Sequence, residues 1–148
     1  EVATEIGERA VVGVEADVVR ACLTSNKLIQ LASFINFSLP QLTESTFSID
    51  QKESELQLLP FYSEKKYLPN DIFQTVPESV AELLKLGIDE SRQSKADSEI
   101  GLFSDNFTDP TVVSHYSNLG INSFICNSRA VPLVRLLAAK SLISKVDN

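Results

Sequence analysis

The sequence has no methionine and no tryptophan, one histidine, two cysteines and only five glycines in 148 residues. Each shortage removes a class of explanation. The glycines, Gly7, Gly13, Gly87, Gly101 and Gly120, are too scattered for a dinucleotide-binding turn or a phosphate-cradling loop. Both of those need clustered glycine where backbone amides approach a phosphate. Cys22 and Cys126 lie too far apart for a CxxC box and are too few for a zinc set. Their neighbours are apolar, Val19 and Leu23 around the first, Phe124 and Ile125 around the second. They read as small buried hydrophobes, with a single bridge between them as the alternative.

With one histidine, any Ser-His-Asp or Cys-His mechanism must use His115. Asp109 stands six positions before it, whereas helical neighbours are three or four apart. His115 is therefore expected to be a partly exposed helix residue beside Tyr116. HExxH, GxSxG and the calcium-loop spacing are missing as well. A chain without methionine, starting at Glu1, is expected to be a processed or excised piece.

Positive charge is also in short supply. Thirteen basic residues face 20 acidic ones, for a net charge of −7. Nucleic-acid affinity rests on Lys and Arg displacing counterions, so nucleic acid and anionic membrane surfaces are not expected partners. No apolar run approaches the ~20 residues of a membrane span. Asn36 and Ser38 interrupt residues 28–39, and Arg135, Lys140 and Lys145 interrupt residues 131–146.

What is present is an ordinary globular mixture, 43% hydrophobic and 22% charged. The length suits one domain over residues 1–148, burying roughly 70% of its unfolded surface. Leu28, Leu31, Ala32 and Ile35 repeat at helical spacing and predict helix through residues 18–37, stopped by Pro40. Thr75 and Glu78 are placed as a capping box. Val76, Val80, Leu83 and Leu84 follow as a buried stripe, and Gly87 as the stop. Residues 89–99 are polar and read as a helix extension or a surface linker. Asp109-Pro110 opens a further helix, and Gly120 ends it. A last helix is expected to start at Ser128, with Pro132 in its first turn, and to run to about residue 146 with an apolar band wide enough for a central position. Leu83, Leu84, Leu136 and Leu137 are expected in the core.

The fold expectation is a compact, mainly α domain of five or six unequal helices. The alternative is α+β, with residues 11–14 pairing with residues 121–126. Asp97, Glu99, Asp105 and Asp109 read as a solvated acidic face, with a weak cation site as the alternative, and no metal or cofactor is expected. Asn36 and Asn106 each head an N-glycosylation triplet.

Without a catalytic inventory, the expected role is a non-catalytic protein–protein interaction module or accessory subunit. Its partner would be another protein chain or a larger assembly. A helical pocket for an apolar ligand and a small hydrolase centred on His115 are the alternatives. The partner-binding residues are placed at Phe61, Tyr62, Tyr67 and Phe73. These are four of the chain's eleven Phe and Tyr, drawn together in a proline-punctuated segment. Aromatics of this kind dominate interface hot spots.

Overall fold

The computed structural model describes residues 11–54, 58–67, 72–105 and 107–146. The chain opens with strand β1 (Gly13–Ala16) and the short helices α1 (Val19–Leu23) and α2 (Ser25–Leu28). Strand β2 (Phe34–Ser38) follows, then helices α3 (Leu39–Phe47), α4 (Gln51–Ser54), α5 (Leu58–Glu64) and α6 (Glu78–Ser94). Strand β3 (Glu99–Phe103), helix α7 (Pro110–Asn118), strand β4 (Ser123–Ile125) and helix α8 (Val131–Val146) complete it. The sheet order is β1-β2-β3-β4, and every pair is parallel. Parallel neighbours require a crossover, which the helices supply. Each new strand joins on the same side as the last, so no point of reversal exists. That is the winding of an α/β barrel rather than of a doubly wound sheet.

The mainly α expectation is therefore corrected: the described residues hold eight helices around a four-stranded parallel sheet. The α+β alternative is corrected too. Strands do form near residues 11–14 and 121–126, but they sit at opposite edges with β2 and β3 between them.

The physical reason lies in β2. Ile35 and Phe37 point to the helical face and are fully buried. Ile35 pairs with Val14 and Ile100, and Phe37 with Ala16 and Leu102. The helical spacing that runs into Ile35 is coincidental, since α2 ends at Leu28 and Leu31 is 84% exposed. The Ser33 amide then bonds the Val12 carbonyl at 2.7 Å and brings the chain into the sheet. On the other face alternation places Glu15, Asn36, Gly101 and Ser123 side by side.

Helix α6 continues through Ser94, so residues 89–94 are its last turns, with Ser91 buried. Pro77, not Thr75, occupies its N-cap position, and no side chain caps it. Gly87 is not a stop but a contact point in mid-helix. An added Cβ there would lie 2.9 Å from Phe37 Cε1 and 3.3 Å from the Cys22 Cα. The hydroxyls of Ser25 and Ser91 both donate to the Gly87 carbonyl at 2.8 Å. This buried knot ties α2 to α6.

Helix α7 begins and ends as its sequence suggests. The Asp109 carboxylate accepts from the Thr111 amide at 2.8 Å and from the Thr111 hydroxyl at 2.6 Å. The Thr111 hydroxyl first, and the amide after it, hold that carboxyl below its ordinary range. Gly120 takes φ +90°, the left-handed conformation glycine adopts freely.

Helix α8 is not central. It packs along α7, burying Val134 and Ser141, and leaves Leu136, Leu142 and Ile143 exposed. Of the four core leucines expected, Leu84 is buried, Leu83 and Leu137 are half-buried, and Leu136 is 66% exposed. Both cysteines are free thiols, and burial pushes the Cys22 thiol up to about 12. Among the described residues no helix is long and apolar enough to cross a membrane.

Candidate functional site

A parallel sheet gathers helix starts and loops at the carboxyl ends of its strands, and ligands bind there. In this chain Ser38 leads straight from β2 into α3, while Ser104 and Asp105 follow β3. A cleft of about 190 Å³ opens between these exits. Its walls are Leu39, Pro40 and Thr43 of α3, Gln51 of α4, residues 72–75 before α6, and Ser104 and Asp105. At about 30 Å³ per water, the space holds roughly six waters. That is below the roughly 300–1,000 Å³ of drug-sized pockets, so it suits a small ligand.

Local bonding fixes the walls. The buried Ser38 hydroxyl donates to Gln41 Oε1 as α3 begins, and Pro40 sits in the first turn, where no amide is missed. The Thr43 hydroxyl donates to the Leu39 carbonyl at 2.9 Å. Ser48, at φ 54°, caps α3, and the Gln51 amide returns to Glu44 Oε1 at 2.9 Å, seating α4 beside the cleft. Across the cleft the Ser104 amide donates to the Ile125 carbonyl at 3.1 Å. This bond carries the β3–β4 ladder one residue beyond the strand and buries Ser104. Asp105 beside it is exposed, and it is the one ionisable side chain among the described residues lining the cleft. Among the described residues no three His, Cys, Asp or Glu side chains come together to hold a metal ion. Asp97, Glu99, Asp105 and Asp109 form no such cluster. The walls offer hydroxyl and amide hydrogen bonding around an apolar floor.

The residues singled out from sequence lie elsewhere, apart from one. Phe61, Tyr62 and Tyr67 pack ring against ring, with centroids 6.1, 6.5 and 5.8 Å apart. Lys65 Nζ lies 5.8 Å from the Phe61 ring. Phe61 is 48% and Tyr67 68% exposed, so this cluster is not an anchor inside the chain's own core. Phe73 stands apart from them, half-buried in the cleft wall. His115 is exposed on the outer helical layer, its ring 5.3 Å from that of Tyr116. Among the described residues no hydrogen bond or ion pair joins it to a carboxylate. Asn36 lies inside β2, and Asn106 falls outside the described residues. Ser38, Thr43, Gln51 and Ser104 went unremarked as site residues, and Asp105 was read only as part of a solvated acidic face. Their one sequence signal is position just after a strand, and it is readable only once the strands are known.

The model of the family described as PEP-utilising enzyme, PEP-binding domain, matches residues 1–143. Similar curated proteins include the pyruvate, phosphate dikinase of Entamoeba histolytica, 30% identical over 132 residues. That match covers 88% of this chain and 15% of the relative. Pyruvate, phosphate dikinase 2 of rice, Oryza sativa subsp. japonica, is 30% identical over 133 residues, 89% of this chain and 15% of the relative. The Giardia intestinalis enzyme is 29% identical over 138 residues, 93% and 15%. The chain thus spans about 15% of the length of these relatives. These matches overturn the expectation of a non-catalytic interaction module or accessory subunit, because the family is one of enzyme domains. The expectation failed because it rested on the motifs this chain lacks, and their absence does not exclude an enzyme domain.

Proposed function

We propose, from the premise that this chain belongs to the family of PEP-binding domains of PEP-utilising enzymes, that its strand-exit cleft is part of the domain's substrate pocket. The observation that supports this most is the cleft's position between the carboxyl ends of β2 and β3. A sheet wound in one direction brings its variable loops together at that edge, and chemistry in such folds collects there. The volume suits a three-carbon acid. The whole protein, like the relatives named as pyruvate, phosphate dikinases, would transfer phosphate with pyruvate and phosphoenolpyruvate as the small-molecule pair.

Titrating the ¹⁵N-labelled chain with phosphoenolpyruvate tests the reading. The amides of Thr43, Gln51, Ser104 and Asp105 are expected to shift together. Shifts confined to the separate pocket that Thr111, His115 and Leu137 line between α7 and α8 would overturn it.

A second reading concerns the partner. The ring cluster of Phe61, Tyr62 and Tyr67, exposed at Phe61 and Tyr67 and half-buried at Tyr62, supports contact with another protein chain, since large rigid rings bury area at low entropy cost. Replacing Tyr62 and Tyr67 together by alanine should leave the unfolding free energy within about 1 kcal/mol, as for surface positions. A substantially larger loss would make the rings a support of this chain's own fold and remove the reason for a partner.

A further inference from the structure

We propose that the groove between α7 and α8 is a second binding site, separate from the strand-exit cleft, for the oxyanion of a small organic molecule, a phosphate monoester or a carboxylic acid. The groove measures about 440 Å³. That lies within the roughly 300–1,000 Å³ of small-molecule pockets. Thr111, Ser114 and His115 of α7 line one wall, and Leu137, Lys140 and Ser141 of α8 the other. Two observations carry the assignment.

The first is the state of two hydroxyls. Elsewhere in the helices Thr43, Thr46 and Ser91 give their protons to the carbonyl four residues back, at 2.7–2.9 Å. Ser114 and Ser141 do not. Among the described residues each has one side-chain hydrogen bond, to the other across the groove, with the oxygens 3.5 Å apart. Hydroxyl pairs bond at roughly 2.5–3.0 Å, so this one is stretched. Ser141 is only 7% exposed, so bulk water does not make up the difference. A hydroxyl hydrogen rotates to suit its partner. A ligand oxygen seated between the two can therefore take both protons.

The second is charge. His115 and Lys140 are the ionisable side chains among the described residues lining the groove, and both are of the basic type. In a chain of net charge −7 that is a local reversal of sign. The Asp109 carboxylate, beside Pro110 at the start of α7, is turned to the Thr111 amide and hydroxyl. Hydroxyl donors beside a cationic one are what an oxyanion needs, and bonds to an ionised partner are about twice as strong as neutral ones. Leu137, half-buried, offers an apolar wall to the rest of the molecule. The groove is also complete within this chain. α7 crosses from β3 to β4 and α8 follows β4, so the two pack side by side without any segment that the longer relatives add.

Phenyl phosphate and benzoate, added in turn to the ¹⁵N-labelled 148-residue chain, test the proposal. The amides of Thr111, Ser114, His115 and Ser141 are expected to shift together with at least one of them, and the acid that binds more tightly identifies the head group. Ser114→Ala combined with Ser141→Ala is expected to weaken binding roughly tenfold or more, as for hydrogen bonds to a charged group. Alanine is the better helix former, and the amides of Ile35 and Leu102 in the sheet check that the fold is kept. Lys140→Gln should weaken binding severalfold, and 0.5 M salt should shrink that difference by screening. Unchanged binding in the double alanine variant overturns the site, and so does the absence of these shifts with both acids. Neither result bears on the strand-exit cleft, whose amides at Thr43, Gln51 and Ser104 report separately in the same spectra.

Discussion

Replacing Phe37 with alanine is expected to lower the unfolding free energy by about 3–5 kcal/mol, the range for a fully buried phenylalanine. Phe37 has no exposed surface and sits on a central strand, paired to Ala16 on one side and Leu102 on the other. Its ring also reaches α6, where it meets Gly87. Removing it therefore empties the contact between sheet and helical layer, where neighbouring groups on two elements hold the space open. Domains of this size have about 5–15 kcal/mol in all, so the loss takes roughly a fifth or more of the total. Urea unfolding followed by far-ultraviolet circular dichroism measures it, since the sequence has no tryptophan to serve as a fluorescent reporter. A cost below about 1 kcal/mol would mean that Phe37 is not the link between β2 and α6.

Gly87→Val is the second large effect, and it works on the same contact from the other side. On an exposed helix, replacing glycine by alanine gains about 1 kcal/mol through propensity alone. Here the sign reverses. The first added carbon already falls 2.9 Å from Phe37 Cε1 and 3.3 Å from the backbone Cα of Cys22. Neither can retreat freely, because Phe37 and Cys22 are fully buried. Overpacking of this kind costs about 1–3 kcal/mol, and valine's two further carbons place this case at the upper end. The shift of α6 would also strain the two hydroxyl bonds to the Gly87 carbonyl. A double mutant supplies the sharper measurement. With Phe37→Ala present, the space valine needs is free, so the pair should cost less than the sum by about 0.5–3 kcal/mol, the range for residues in contact. Strict additivity would show that the two residues do not touch.

The same residues show how much of the fold was legible. Helix α7 was readable because everything that starts and stops it is local: the Asp109 carboxylate bonds an amide two residues on, and Gly120 supplies its own left-handed turn. The body of α6 and that of α8, whose start at Val131 falls three residues after the expected Ser128, were readable for the same reason, since helical hydrogen bonds never reach beyond four residues. β2 was not. Residues 34–38 carry a helical spacing in from Leu28, and only pairing with Val14 on one side and Ile100 on the other makes Ile35 a strand residue. β3 begins at the end of a polar stretch whose composition suggests surface, although Ile100 and Leu102 are fully buried. Gly87 could be named as special, but its role as a place of close approach depends on Phe37, fifty positions earlier in the chain.

The candidate site lay almost entirely on the far side of that divide, Phe73 being the one wall residue that the sequence had singled out for binding. Thr43 and Ser104 face one cleft from two different strand exits, with β2 and β3 adjacent although about sixty residues separate them in sequence. Neither residue has a chemistry that draws notice alone, and the sequence contains no cluster of histidine, cysteine or glycine to mark the place. By itself the sequence determined the acidic balance, the absence of a membrane-length apolar run, and the helices whose signals are short-range. Tertiary structure decided the parallel sheet, the fate of Leu136 on the outer face of α8, and the cleft. Those depend on which distant segments pair, and pairing is settled by the burial of both strands together, a quantity that no local window contains.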